Sequence, residues 1–470
     1  MKRSFLHFAI VLMILFRVIL LSSCANIIPP GGGPKDTLPP KLVMSLPKDS
    51  ATNVSPKIIT LTFDEYVTLQ SAQQELIVSP TLKNSPLIDS KLRVVTIKLN
   101  KDSFEANTTY SLNFGNAIKD VNEGNIAKDF TYVFSTGNSL DHGMYKGKVI
   151  LAETGKIDSS LVVMLHNNLS DTAIVKIRPR YYTRLNGKGE FSFRNLPEGV
   201  FNVYVLENSF SNRYTDSTEI FAFKNEPVTI GNNTKPDTLF AYQEMKKKEK
   251  TTTPSSSPVK LPGSNKEDKR VRYNTSLDNG EQDLLSDLVL SFTKKISHFD
   301  STKFVLTDTN YRPVSNYSVT LDTGKTKVVL KYSWKDYTPL RLLIAKDAVA
   351  DSLKTTLSKA DTLRFFTKRE SDYGSIRLRF GNLDLSKNPV LQIWQSDKLL
   401  ESVVLTGTEF RRKLFHAGSY DLRILYDKNR NGVWDPGHFF GYKRQPEIVQ
   451  LIPKALTIRA NWDNEVNIPL

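Results

Sequence analysis

Residues 58–67, with the sequence IITLTFDEYV, decide the fold because Ile59, Leu61 and Phe63 alternate with polar neighbours. Alternation at a period of two is typical of a strand with one buried face. Similar strands recur at short intervals, separated by Pro, Gly, Asn and Asp, and long stretches of 3.6-residue periodicity are missing. They are LRVVTIKL from Leu92, YSLNF from Tyr110 and FTYVF from Phe130. The sequence therefore predicts an all-β protein of tandem antiparallel β-sandwiches.

The same strands recur in the same order about 230 residues later. The segment from Ile58 is matched by LVLSFTKKIS from Leu288, and the segment from Leu92 by TKVVLKYS from Thr326. YSLNFGNAIKD is matched by LRLLIAKDAVAD from Leu340, and DFTYVFSTG by DTLRFFTKR from Asp361. An ordered series of matches predicts two copies of one domain, at residues 45–137 and 272–368.

These two segments resemble the SbsA-type bacterial Ig-like domain. The resemblance is carried by the opening PPKLVMSLPKDSATNVSPKIITLTFDEYV, the Y-x-L-x-F strand before IKDVNEGN, and the closing FTYVFSTG. The second copy lacks the proline-rich lead and the Gly–Asn turn. The resemblance implies an antiparallel sandwich that serves as a spacer, an adhesive module or a stalk, without catalytic residues.

A second unit is also repeated. GEFSFRNLPEGVFNVYVLEN from Gly189 reads as strand, turn and strand, and FRRKLFHAGSYDLRILYD from Phe410 repeats it more loosely. Pro197 and Gly199 suit the turn. The unit looks like the transthyretin-like sandwich also found as the regulatory domain of carboxypeptidases. This resemblance implies a fold at 143–243 and 373–470, and it does not imply peptidase activity.

The N-terminal residues predict export and lipid anchoring. Lys2 and Arg3 precede a largely apolar run at 5–21, which is the pattern of a signal peptide covering residues 1–23. Leu-Ser-Ser-Cys ends that run and resembles a bacterial lipobox, which implies lipidation of Cys24, the chain's single cysteine. An ordinary signal peptide with an incidental cysteine is the alternative. Ala25 favours the outer membrane over retention in the inner one, with the membrane face left open, and residues 24–44 read as a Pro/Gly-rich tether.

The composition of residues 245–270 predicts a disordered linker between two independently folded halves, because Lys, Ser, Thr and Pro replace apolar alternation. The formal charge is +15, and removal of the three cations of the signal peptide leaves +12. Such a charge favours anionic glycans or lipid headgroups as partners, with a merely solvated basic surface as the alternative. No basic motif with interleaved aromatics suggests nucleic acid.

Candidate chemistry is sparse. The histidines are scattered without metal-ligand spacing, and the sequence has neither a G-x-S-x-G elbow nor a Walker loop, so we predict no enzyme and no firm cofactor. Residues 427–437, DKNRNGVWDPG, place Asp427, Asn429, Asn431 and Asp435 at positions 1, 3, 5 and 9 of a calcium loop. His438 stands where the bidentate Glu belongs. We predict a structural turn with at most weak Ca²⁺ binding.

These patterns favour a non-enzymatic outer-membrane lipoprotein, a structural or interaction module of the cell envelope. Its partners would be the membrane, through the lipid, and envelope proteins or anionic glycans. A glycan- or surface-polymer-binding accessory is the alternative, which a convergent patch of exposed aromatics would favour, and Trp394, Trp434 and Trp462 are candidates for it. An envelope hydrolase comes third, and would require two facing carboxylates in a cleft.

Overall fold

The computed structural model describes residues 35–99, 104–207, 212–231, 234–245 and 270–470. Strands hold 49% of the residues and helices 4%, which confirms the predicted class of tandem β-sandwiches. Cys24, the signal peptide and nearly all of the predicted linker lie outside the described residues. No helix in the described part of the chain is long and apolar enough to cross a membrane.

The first sandwich begins three residues before the predicted boundary, inside the predicted tether. Its sheets have the orders β1-β2-β6-β5, β4-β7-β9 and β3-β8, and every pairing within them is antiparallel. Ile59, Leu61 and Phe63 point into the core, as their alternation predicts. The elements are β1 (Leu42–Leu46), β2 (Ile58–Phe63), β3 (Val67–Leu69), α1 (Ala72–Glu75), β4 (Ile77–Ser79), β5 (Leu87–Lys91), β6 (Val94–Lys98), β7 (Thr109–Asn113), β8 (Ile118–Asp120) and β9 (Thr131–Ser135).

The second sandwich contains eight strands in the order β12-β11-β14-β15-β17-β10-β13, with β16 paired to β14. Strands β10 and β17 run parallel, and the other registered pairs are antiparallel. The elements are β10 (Gly143–Leu151), β11 (Leu161–His166), α2 (Ala173–Lys176), β12 (Tyr181–Arg184), β13 (Glu190–Leu196), β14 (Gly199–Glu207), β15 (Ile220–Phe223), β16 (Val228–Ile230) and β17 (Asp237–Gln243).

The third sandwich repeats the sheet orders of the first. Its sheets are β18-β20-β24-β23, β19-β27-β25-β22 and β21-β26, so only the short β19 is added. The strands are β18 (Tyr273–Thr275), β19 (Glu281–Gln282), β20 (Leu288–Phe292), β21 (Ile296–Phe299), β22 (Phe304–Thr307), β23 (Ser318–Leu321), β24 (Lys327–Lys331), β25 (Pro339–Ile344), β26 (Val349–Asp351) and β27 (Asp361–Thr367).

The fourth sandwich repeats the pairings of the second. Strand β28 runs parallel to β35 and antiparallel to β31, while β30-β29-β32-β33 form a second sheet to which β34 adds. One contact differs, because β15 also pairs with β17 in the second sandwich and joins its two sheets. The strands are β28 (Tyr373–Gly381), β29 (Pro389–Gln395), β30 (Lys398–Val404), β31 (Glu409–His416), β32 (Gly418–Tyr426), β33 (Ile448–Leu451), β34 (Leu456–Ile458) and β35 (Asp463–Pro469).

The repeat holds, but the direct alignment of the quoted strands is one residue out of register. Tyr110 pairs with Phe134 in the first sandwich and Leu340 pairs with Phe365 in the third, so Phe365 corresponds to Phe134. Direct alignment of DFTYVFSTG with DTLRFFTKR matches Phe134 to Phe366 instead. A shift by one residue moves every side chain of a strand to the other face. Phe365 is therefore buried, while Phe366 is 46% exposed.

The contacts of the described residues divide the chain elsewhere than at the linker, and independent folding of the two halves stays a prediction. One compact unit holds residues 35–143 with Arg194–Glu198, and the other holds the described residues of Met144–Phe193 and Gly199–Leu470. The second and fourth sandwiches, which lie on opposite sides of the linker in sequence, thus belong to one unit. Composition could not show which sandwiches pack together.

Candidate functional site

The loop at residues 427–437, which we call the aspartate loop, is built around the buried carboxylate of Asp427. This side chain is 1% exposed at the end of β32. Its Oδ1 accepts the backbone N–H groups of Arg430 at 2.7 Å and Asn431 at 3.3 Å, and its Oδ2 accepts that of Gly432 at 2.7 Å. Gly432 has a φ of +77°, the left-handed conformation that glycine adopts most readily. Asp427 therefore caps the loop from inside.

The remaining polar side chains of the aspartate loop bond to one another. Asp435 Oδ2 accepts the amide N–H groups of Asn429 at 2.6 Å and Asn431 at 2.9 Å. In the described part of the chain, no group of three or more His, Cys, Asp or Glu side chains is arranged to hold a metal ion. An ion bound by Asp427, Asn429, Asn431 and Asp435 would have to displace these N–H donors. Weak Ca²⁺ binding by these residues stays a prediction.

Glu447 is a third carboxylate of this region that the sequence reasoning missed. Its Oε1 accepts the N–H of Lys428 at 2.6 Å, and its Oε2 accepts that of Asp435 at 3.1 Å. Burial, together with the nearby charges of Asp427 and Asp435, raises the pKa of Glu447 against the lowering effect of these bonds. Glu447 lies ten residues beyond the aspartate loop, outside the spacing of a calcium loop, so the sequence did not indicate it. Since the side chain is 4% exposed with both oxygens engaged, Glu447 closes the loop and is not placed to act on a substrate.

The segment that follows, residues 437–445, attaches the fourth sandwich to the second, and we call it the anchor segment. Phe439 is 3% exposed and packs into the aromatic core of the second sandwich. Its ring centroid lies 4.9–5.6 Å from those of Phe223, Phe221 and Tyr204. Offset and edge-on aromatic pairs at such distances are favourable beyond their buried area. The anchor segment therefore contributes a core residue to another domain.

Polar contacts surround this inserted ring. His438 Nδ1 lies 2.5 Å from Glu244 Oε1, and Gln445 Nε2 donates to the carbonyl of Phe223 at 3.0 Å. Gly437 is required here, because a Cβ at this position would lie 2.5 Å from Cζ of Tyr242. The position where a calcium loop would place its last carboxylate is thus occupied by a residue that bonds to the neighbouring sandwich.

The three tryptophans proposed as a sugar platform lie in separate surroundings. Trp434 donates its Nε1–H to the carbonyl of Glu447 at 2.8 Å and packs on two core clusters. Trp394 lies beneath the buried guanidinium of Arg423, whose Cζ is 4.1 Å from the ring centroid. Trp462 is 60% exposed. No ring contact is recorded among these three residues, all of which the structure describes.

A convergent set of exposed aromatics exists instead on the third sandwich. In β25 and β27, Leu340, Leu342 and Phe365 point into the core, so the alternate positions point outward. We call the outward set, with the two adjoining turns, the aromatic–arginine face. It consists of Tyr311, Tyr337, Arg341, Arg364, Phe366 and Arg369.

Two of its aromatics are held in unusual backbone conformations. Tyr311 has a φ of +60° and Tyr337 a φ of +38°, in a region that bulky side chains rarely adopt. Such residues cost about 1–3 kcal/mol each and persist where the surrounding structure imposes them. These residues are 53% and 47% exposed, so burial offsets little of the cost.

An arginine guanidinium lies over the ring of each of these two tyrosines. The Cζ of Arg341 lies 4.3 Å from the centroid of Tyr311, and that of Arg369 lies 3.9 Å from the centroid of Tyr337. Phe366 stacks beside Tyr337, with centroids 5.7 Å apart and planes inclined by 24°. Cation–π contacts at exposed sites are worth about 0.5–1 kcal/mol. They hold the rings and the guanidinium groups in fixed positions on one surface.

The two central arginines face each other across the sheet. Arg341 and Arg364 are directly opposed in the register of β25 and β27, and like charges so placed are destabilising. Among the described residues neither forms a recorded ion pair. The sequence contains a signal for this pair, because arginine stands at an outward position of the alternation in both LRLLIAKD and DTLRFFTKR. The one-residue error in aligning the strands left the pairing of the two arginines unrecognised.

Comparison with solved structures finds low similarity over long spans. The chain is 12% identical to the Bacillus anthracis TIE protein, covering 94% of this chain and 75% of that one, with a TM-score of 0.16. It is 12% identical to Escherichia coli alpha-2-macroglobulin spanning domains MG0-NIE-MG1, covering 39% and 72%, with a TM-score of 0.20. For BcpA, the major pilin subunit of Bacillus cereus, the identity is 9%, the coverage 70% and 98%, and the TM-score 0.17. No functional conclusion follows from TM-scores of this size.

No curated protein matches the chain in sequence. Residues 36–136 match the bacterial Ig-like domain family Big_5, which agrees with the expected Ig-like domain and extends it nine residues towards the N-terminus. The match includes β1, which the predicted tether had partly absorbed. The first sandwich of this chain is a bacterial Ig-like domain.

Proposed function

We propose that this protein is a non-enzymatic lipoprotein of the bacterial outer membrane, whose β-sandwiches form a structural or interaction module of the cell envelope. The observation that carries the proposal is the repeated pair of sandwiches, in which the third repeats the sheet orders of the first and the fourth repeats those of the second, each with an apolar interior. Such interiors leave the outer surfaces as the place where partners bind.

The anchor of this module is the lipid on Cys24. Several acyl chains on one residue hold a protein at a membrane stably, whereas a single chain binds only marginally. The Leu-Ser-Ser-Cys sequence and the absence of an aspartate after Cys24 support the outer membrane. Ten residues separate Cys24 from Lys35, where the described part of the chain begins, and at about 3.3–3.6 Å per residue they span at most roughly 40 Å.

Metabolic labelling with a clickable fatty acid, followed by separation of inner and outer membranes, tests this proposal. We expect the full chain to be labelled and to fractionate with the outer membrane. Cys24→Ala should abolish the label and release the protein from the outer-membrane fraction. Equal labelling of both forms, or a labelled chain in the inner membrane, would contradict the proposal.

A glycan- or surface-polymer-binding accessory is the second candidate. The specific observation in its favour is the aromatic–arginine face, since it is a convergent patch of exposed aromatics held on one sheet. Retention of the purified full chain by an immobilised anionic polysaccharide tests it. An envelope hydrolase has less support, because Glu447, the carboxylic acid with a raised pKa beside the aspartate loop, is buried with both oxygens bonded.

A further inference from the structure

We propose that the aromatic–arginine face of the third sandwich binds an anionic polysaccharide. Sugar rings would pack on the exposed rings of Tyr311, Tyr337 and Phe366, and carboxylate or phosphate groups of the polymer would pair with Arg341 and Arg364. This inference deepens the second candidate function and rests on it, because it names the surface and the class of ligand.

The two opposed arginines of this face favour an anionic ligand. Arg341 and Arg364 are directly opposed on the outer face of the sheet, and neither has a recorded ion pair in the part of the chain that the structure describes. In the strand register Glu281 lies opposite Phe366, two positions along β27 from Arg364. Each guanidinium offers forked donors that match carboxylate and phosphate oxygens. An anion that paired with both arginines would offset the repulsion between them.

The exposed aromatic rings of this face favour a ligand with flat apolar faces. Tyr337 and Phe366 lie nearly parallel at the end of the paired strands where β25 begins. Tyr311 follows β22, which pairs with the other edge of β25, and its ring lies against the guanidinium of Arg341. The aromatic rings therefore border the arginine pair on two sides. Successive same-face positions on a strand are about 6.6 Å apart, so these groups extend over more than one sugar ring and suit a polymer.

The interleaving favours a polysaccharide over a protein partner. Protein interfaces concentrate apolar residues in a core depleted of charge and move polar groups to the rim. Here the guanidinium groups of Arg341 and Arg369 lie over the rings of Tyr311 and Tyr337, with Cζ-to-centroid distances of 4.3 and 3.9 Å, so these rings do not form a charge-free centre. A uronic-acid or phosphate-bearing polysaccharide presents both apolar ring faces and regularly spaced anions. Single-stranded nucleic acid also uses stacking and positive charge, and it is one of the outcomes that the test separates.

The test measures binding of the purified full chain in detergent to four immobilised probes at equal loading. Polygalacturonate supplies sugar rings with carboxylates, dextran supplies sugar rings alone, poly-L-glutamate supplies carboxylates alone, and oligo(dT) represents nucleic acid. We expect retention on polygalacturonate that weakens with salt, and weaker binding to the other three.

Two double variants address the face, and one serves as a matched control. Arg341→Gln with Arg364→Gln, and Tyr311→Asn with Tyr337→Asn, should each weaken polygalacturonate binding by about tenfold or more. Asparagine is chosen because it tolerates the left-handed backbone of both tyrosines. The control is Arg459→Gln with Trp462→Ala, which removes an exposed arginine–aromatic pair elsewhere in the chain and should leave binding unchanged. Thermal unfolding of each variant checks that the fold is retained.

Several results would overturn the inference. They are equal binding to poly-L-glutamate, tighter binding to oligo(dT), an equal loss in the control variant, or failure of the wild-type chain to bind polygalacturonate. Because binding is measured on purified protein, it does not depend on lipidation. A chain that is lipid-labelled at Cys24 but does not bind the polysaccharide would refute polysaccharide binding by the aromatic–arginine face. It would not contradict the proposed lipid-anchored module.

Discussion

The first and third sandwiches share the pattern of their interior and differ on their surface. Their principal sheets have the same strand order, and in both a buried aspartate, Asp120 or Asp351, ends a short strand and accepts backbone N–H groups of the following loop. On the outer face, Ser111 opposes Val133 in the first sandwich, whereas Arg341 opposes Arg364 at the equivalent positions of the third. Inward positions thus preserve the fold, while outward positions are free to acquire a binding surface.

The second and fourth sandwiches differ in another way. Apart from the contact of β15 with β17, their eight strands pair alike, but the loop after β32 carries the anchor segment with Phe439, and this ring completes the core of the second sandwich. The same loop that resembles a calcium site in sequence therefore joins two domains in space. The comparison teaches that two sandwiches with nearly the same strand pairing can differ in the loops that join them to other domains.

Removal of the anchor ring should have the largest effect. Phe439→Ala should destabilise the contact between the second and fourth sandwiches by about 3–5 kcal/mol, because it leaves a cavity in an aromatic core. Hydrogen exchange should accelerate in β14 and β15, and protease should cut the chain sooner. Val433→Ala, an exposed position of the aspartate loop, is the control. Unchanged exchange in β14 and β15 would show that the two sandwiches fold independently, as the sequence first suggested.

Core truncations should affect the first and third sandwiches alike. Leu61 and Leu290 occupy equivalent inward positions, opposite Val95 and Val328, and both are fully buried. Each change to alanine should cost about 2–5 kcal/mol. Hydrogen exchange should rise only in the altered sandwich, whereas Thr60→Ala on the outer face should have little effect. A loss confined to one of the two leucines would break the equivalence of the interiors.

Acid should weaken both loops that end in a buried aspartate. Burial alone would raise the pKa of Asp120, but N–H groups of Gly124, Asn125 and Glu123 outweigh it and lower the pKa. The N–H of Thr355, followed by weaker donors, lowers the pKa of Asp351. A lowered pKa in the folded state gives stability that is present above the unfolded value, about 3.9, and is lost as the pH falls through the folded value.

Asp120→Asn and Asp351→Asn should therefore remove part of the loss of stability between pH 5 and the acid limit of the fold. Unfolding measured from pH 7 downward checks this, with the exposed Asp89→Asn as the control. If the acid profiles of the variants match that of the wild type, the two carboxylates do not carry the proposed charge-dependent bonds.

The opposed arginines should give a small effect of opposite sign in the first and third sandwiches. Arg364→Gln should stabilise the third sandwich by about 0.2–1 kcal/mol, since it relieves like charges across a strand pair and leaves the contact of Arg341 with Tyr311 in place. Ser111→Arg with Val133→Arg should destabilise the first sandwich by a similar amount. Thermal unfolding at low and high salt measures both, and the differences should shrink as salt rises. A destabilising Arg364→Gln would show that this pair supports the fold instead of a ligand.

Calcium should have the smallest effect. Millimolar Ca²⁺ should change the unfolding temperature of the full chain by no more than about 2 °C relative to EDTA, because the loop oxygens already accept N–H bonds. Asp435→Asn removes one charge while keeping an acceptor, and should behave alike in both buffers. A rise of several degrees that this variant abolishes would establish a real site.

Much of the fold could be predicted from the sequence. Alternation in IITLTFDEYV identified β2 and its inward residues, and the ordered repeats identified four sandwiches whose pairings recur in the structure. The candidate sites were harder. The aspartate loop was recognised by spacing, but Glu447 and the anchor role of Phe439 were not, because their partners are distant in sequence.

The sequence by itself determined which residues form strands and which of them face a core, because strand periodicity and apolar character are local properties. Only the tertiary structure decided that Arg341 opposes Arg364 and that Phe366 is exposed, since a shift of one residue exchanges the two faces of a strand. It also decided that Phe439 completes the core of another sandwich. Contacts between domains depend on shape and on surfaces brought together from distant segments, and neither leaves a period in the sequence.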